Sequence, residues 1–118
     1  MAFVQTLGGT EQVMIAGSFN ADVSTARGSG YSVAVSSGVF TITLDRAYNG
    51  LIACTASVMN ATAATGESLI ANVVSHSVSD GTTGGTIVIN TVDDTGNIEG
   101  ALTAGCEVHF TAVLDVDT

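Results

Sequence analysis

The residues of this chain whose types could do chemistry are few. They are His76 and His109, Cys54 and Cys106, the two arginines Arg27 and Arg46, and an acidic group at Asp93, Asp94, Asn97 and Glu99. Histidine changes charge near neutral pH and suits general acid–base work. Both histidines fall on the polar face of an alternating stretch, His76 between Ser75 and Ser77 and His109 between Val108 and Phe110. No GxSxG, HExxH, CxxC or glycine-rich phosphate loop accompanies them, and no nucleophile–base–orienter set is legible. No catalytic residue is assigned, and the chain is read as a non-enzyme.

The acidic group collects oxygen ligands of the kind that hard cations take, in a loop containing Gly96. Its spacing departs from the D-x-[DN]-x-[DN]-G pattern, and the reading is a solvated acidic turn. No metal and no cofactor is assigned. Cys54 lies beside Ile52 and Ala56, and Cys106 precedes Val108 and Phe110, so each reads as a small core hydrophobe on an inward strand face. A disulfide between them requires neighbouring strands and a suitable Cα separation. Arg27 and Arg46 are the only Lys or Arg residues in the chain. Arg46 follows Asp45, and a local ion pair there is worth at most about 1 kcal/mol. The other reading of both arginines is a contact with another chain, where a planar guanidinium binds a carboxylate bidentately.

The charge balance narrows the partners. Eleven carboxylates against two arginines give 118 residues a formal net charge of −9. Phosphate binding needs Lys or Arg to displace counterions, so neither nucleic acid nor an anionic membrane surface is expected as a partner. The mean hydropathy is positive at +0.48, yet the apolar residues are scattered among Gly, Ser and Thr, and no run of 18 exists. The opening MAFVQTLGG has neither a basic nor a long apolar region, so no secretory leader is expected, and synthesis in the cytoplasm is.

The elements that must position these residues are strands. In Gly28–Tyr48, Tyr31, Val33 and Val35 alternate with Ser32, Ala34 and Ser36; Phe40, Ile42 and Leu44 alternate with Thr41 and Thr43. That period of two marks strands with one dry and one wet face, joined through Ser36-Ser37-Gly38 as a hairpin. Further strands are predicted at Gln12–Ala16, Leu51–Val58, Leu69–Val78, Thr86–Thr91 and Glu107–Val113, the last with Val108, Phe110 and Ala112 inward. MNATAATGES, SDGTTGG and DDTGNIEG read as loops. The fold expected is all-β: one single-domain β-sandwich or small barrel of about seven antiparallel strands over 31–118. Residues 1–30 are expected to form an N-terminal arm with a first short strand. The chain has no proline and no lysine, the usual guards of sheet edges, so a subunit neighbour is expected to cover them.

The segment GSGYSVAVSSGVFTITLDRAYNG resembles a pattern of small β-domains in virion structural proteins of tailed bacteriophages. The pattern is Gly-Phe/Tyr-Ser-Val, four residues, then Gly-Val/Tyr-Tyr/Phe-Thr-Ile-x-Phe/Leu-Asp, with a later aromatic near the C-terminus that Phe110 matches. The resemblance spans about Gly28 to Leu114, and its first hairpin is the distinctive part. It implies a capsid decoration (cement) protein, or a head-fibre, knob or tail-fibre receptor-binding domain contacting the host cell surface.

A tip domain ordinarily ends a long shaft and offers aromatic faces to sugars. This chain has no shaft repeat and no tryptophan. The expectation is therefore a cement protein on the capsid surface of the virion, with the major capsid protein as partner and a homotrimer as its own assembly. Phe3, Val4, Leu7, Val13, Met14 and Ile15 are the expected apolar anchors of the arm, and Arg27 and Arg46 are expected polar contacts of the interface.

Overall fold

Alternation decides which side chains meet, and in the computed structural model it builds two sheets facing each other. The structure describes residues 3–7, 10–59, 70–78, 84–92 and 106–116. Nine strands run through them: β1 (Phe3–Leu7), β2 (Thr10–Asn20), β3 (Ala26–Gly28), β4 (Tyr31–Ser36), β5 (Val39–Leu44), β6 (Gly50–Met59), β7 (Ile70–His76), β8 (Thr86–Val92) and β9 (Glu107–Val116). The first sheet has the order β1-β2-β9-β6, with β3 also on β2; the second has the order β4-β5-β8-β7. Every pairing is antiparallel. The protein is an all-β sandwich, and the barrel alternative falls because β6 and β7, though adjacent, belong to different sheets.

The core is the sum of the inward faces. Ile15, Phe19, Phe40, Ile42, Ile87, Ile89, Val108, Ala112 and Leu114 are all essentially inaccessible. Burying each large side chain contributes about 1.5–3 kcal/mol. Aromatic rings bridge the two sheets. Phe19 lies 5.1 Å from Phe40, and the Tyr31 ring meets Phe110 edge-on at 4.9 Å. The hairpin runs in the expected register, Tyr31 opposite Leu44 through to Ser36 opposite Val39. Its turn places Ser37 and Gly38 at φ 49° and 78°, the pair of positive values that matches the twist of a two-residue hairpin.

Three expectations are corrected. The arm is not separate from the sandwich. β2 lies in the sheet between β9 and the shared β1/β3 edge, so the boundary at residue 30 does not divide two units. Val13 and Ile15 are 4% and 0% exposed: alternation along β2 turns them into the core and removes them as surface anchors. Phe3, Val4 and Leu7 sit in β1, paired with Met14, Val13 and Thr10. Ile52 is 51% exposed, because a bulge between Leu51 and Ala53 moves the inward face to Leu51, Cys54 and Ala56. A second bulge, between Val73 and Ser75, leaves Val74 54% exposed.

Register also settles the cysteines. β6 and β9 are neighbours, but Cys54 pairs with Ala112. Cys106 is six residues from Ala112, about 20 Å along a strand, far beyond the ~7 Å Cα limit of a disulfide. Burial pushes the Cys54 thiol above its usual range.

Candidate functional site

Two of the side chains with chemistry, Arg27 and His109, meet on the outer face of the five-stranded sheet. Residues paired across antiparallel strands share a face, with Cβ atoms about 4.5–5.5 Å apart. Ser18 pairs with Arg27 on β3 and with His109 on β9, and His109 pairs with Ser57 on β6. Arg27, Ser18, His109 and Ser57 thus form one row across four strands. One step towards one end, Asn20, Glu107 and Met59 align; towards the other, Ala16, Thr111 and Thr55. Beyond these comes an apolar row of Met14, Val113 and Ala53, with exposed Ile52 beside it.

Local structure fixes the cationic end. The turn after β2 is held by Asn20, whose Oδ1 accepts from the Thr25 backbone at 2.9 Å and whose Nδ2 donates to Ser24 Oγ at 2.9 Å. Asp22 Oδ1 accepts from Ser24 Oγ at 2.7 Å and from the Ser24 backbone at 3.1 Å. These bonds, the hydroxyl's first, hold the Asp22 carboxyl below its ordinary value. β3 then packs so close to β2 that a Cβ on Gly28, at φ 100°, would strike the Ala16 carbonyl. Only glycine fits there, and Arg27 is aimed by that fit.

His109 Nε2 lies 3.3 Å from Glu107 Oε1, with the side chains 47% and 28% exposed. A pair this open contributes at most about 1 kcal/mol. Depressions flank it. One, of about 220 Å³, is lined by Ser18, Asn20, Thr25, Arg27 and Glu107; another lies between Thr55, Ser57 and His109. A serine beside a histidine paired to a glutamate has the members of a hydrolytic triad, but here they stand on an open, wet sheet. The low-dielectric surroundings that make oxyanion stabilisation effective are missing from that geometry. The arrangement sets an arginine, a histidine, a glutamate, hydroxyls and an apolar band on one open face.

The expected residues separate accordingly. Arg27 is exposed on this face. Arg46 is elsewhere, its guanidinium 5.2 Å from the centre of the Tyr48 ring, a cation–π contact that replaces the first of its two readings, the local pair with Asp45. His76 is exposed at the end of β7. The acidic group from Asp93 to Glu99 lies outside the described residues, as do the loops at 60–69 and 79–83. Ser18, Ser57 and Glu107 were not singled out by sequence, since only long-range register brings them beside Arg27 and His109; Met14, expected as an apolar anchor, is exposed on this face. Among family models, curated proteins and solved structures, none matches this chain.

Proposed function

We propose that this chain is a structural protein of a tailed-phage virion. It binds the outside of the capsid through the outer face of its five-stranded sheet, and it self-associates, as a trimer, to clamp neighbouring capsomers. The observation that carries the reading is the cross-strand row Arg27–Ser18–His109–Ser57 beside the Met14–Val113–Ala53 row. A flat face with an apolar band and a polar band has the mixed make-up of a protein-docking surface, not of a pocket for a small substrate. The resemblance of the Tyr31–Leu44 hairpin to virion β-domains supplies the kind of partner, the major capsid protein.

The mechanism is linkage. A protein that binds only the assembled shell stabilises it by mass action, more strongly as its concentration exceeds the dissociation constant. Many copies add modest contacts into resistance to rupture.

The test is cosedimentation with emptied, expanded phage heads. Saturable binding at a fixed copy number per capsomer is expected, with Arg27→Glu weakening it tenfold or more. Failure of the wild-type protein to sediment with heads, or equal binding by Arg27→Glu, would overturn the proposal. Binding to host cells and not to heads would assign it to adhesion.

A further inference from the structure

The step from Asn49 to Gly50 carries the chain from the loop after β5 into the first residue of β6. Six asparagines occur in the chain, and Asn49 alone is followed by glycine. The backbone nitrogen of the residue after an asparagine can attack the side-chain amide carbon. A Cβ on that next residue obstructs the approach, and glycine has none. Neither backbone nor packing calls for a glycine here: its φ is outside the left-handed region, and a Cβ would meet no atom within 4 Å. Asn49 is exposed, and its side chain makes one long hydrogen bond, from Nδ2 to Asp115 Oδ2 at 3.5 Å. The amide is thus open to water and lightly restrained. Asn20 is the contrast, with its oxygen and nitrogen both bonded at 2.9 Å and alanine following it.

From this we propose that Asn49 is a site of spontaneous deamidation, and that its product loosens the junction between β6 and β9. In the first step the Gly50 nitrogen gives up its proton and bonds to Cγ of Asn49. The Cγ–Nδ2 bond breaks, and Nδ2 leaves as ammonia with that proton, closing a cyclic imide. Water then opens the imide at either carbonyl. Opening at Cγ gives aspartate; opening at the main-chain carbonyl gives isoaspartate, whose backbone is longer by a methylene. No oxidant, reductant or enzyme is needed. The product meets Asp115. A carboxylate replaces the donor from which Asp115 Oδ2 accepts, while Asp115 Oδ1 is buried with no hydrogen-bond partner among the described residues. Two carboxylates side by side repel. The Asn49 backbone nitrogen also donates to the Asp115 carbonyl at 2.8 Å, next to the Gly50–Asp115 pair. An added backbone methylene therefore displaces the start of β6 as well. The inference stands on this junction alone and does not depend on the capsid reading.

Peptide mapping by mass spectrometry of the purified full chain, aged while folded in mildly alkaline buffer, tests this. Aspartate and isoaspartate are expected to accumulate at Asn49 about tenfold faster than at any other asparagine. Gly50→Ala is expected to slow that conversion about tenfold and to leave the urea midpoint at the wild-type value. Asn49→Asp, the product with an ordinary backbone, is expected to lower the midpoint. Asp115→Asn in the same chain is expected to lessen that loss, a coupling read by a double-mutant cycle. An Asn49 that stays intact or converts no faster than other asparagines, or a rate unchanged by Gly50→Ala, overturns the site. A midpoint unmoved by Asn49→Asp overturns its structural consequence. Should Gly50→Ala not fold, the wild-type map alone decides the site.

Discussion

The Tyr31 phenol donates a hydrogen bond of 2.6 Å to the backbone carbonyl of Arg27. The two residues belong to different sheets, Tyr31 to β4 and Arg27 to β3, and the bond ties the hairpin of one sheet to the edge strand β3 of the other. The same hydroxyl lies 3.3 Å from the Ser18 carbonyl. Tyr31→Phe removes the donor and leaves the ring against Phe110. It is expected to cost about 0.5–1.5 kcal/mol in urea unfolding and, under the proposed capsid role, to weaken cosedimentation with heads, because β3 is no longer pinned. Unchanged urea midpoints would show that the bond contributes nothing.

Gly17 faces the core opposite Phe110, and a Cβ there would run into the Tyr31 ring. Gly17→Ala is therefore an overpacking substitution, expected to destabilise by about 1–3 kcal/mol. In the Tyr31→Ala background the ring is gone, and the same change is expected to cost much less. A double-mutant cycle by denaturant unfolding measures that coupling.

Burial pushes the phenols of Tyr31 and Tyr48 above their ordinary value of 10.0. A group whose folded value is raised contributes stability that is fully present below its unfolded value and is lost as pH rises through the folded one. For these tyrosines stability is expected to be flat through neutrality and to fall above about pH 10. Tyr31→Phe and Tyr48→Phe should each flatten that alkaline decline, read as thermal midpoints from pH 8 to 11.5.

Thr91 is fully inaccessible on the core side of β8, and its Oγ1 has no hydrogen-bond partner among the described residues. An unsatisfied buried hydroxyl costs about 1–3 kcal/mol. Thr91→Val puts a methyl in its place and is expected to raise stability by about 1 kcal/mol, checked by chemical denaturation. A loss of stability would mean that the hydroxyl is bonded in solution.

The parts of the fold legible in the sequence are those where the period of two runs unbroken. The hairpin from Tyr31 to Leu44 and the inward face of β9 through Val108, Phe110 and Ala112 are of this kind. β2 hides its period because the inward series Val13, Ile15, Phe19 is interrupted by Gly17, the gap that Tyr31 fills from another strand. Within β6 and β7 the bulges shift the period by one residue, so Ile52 reads as core and is surface. Arg27 and His109 were legible as isolated residues. Their shared row was not, since it depends on pairing between segments more than 80 residues apart in the chain.

The two bulges have a consequence for edge-to-edge association. Both lie in strands at the margins of their sheets, Ile52 in β6 and Val74 in β7. A straight incoming strand can match a bulged one only on one side of the extra residue, after which its donors and acceptors fall out of step. Fibril growth needs a long, uninterrupted template. In a chain without proline or lysine, backbone geometry thus supplies at these two margins the interruption that side-chain type does not, and deleting Ile52 or Val74 removes it.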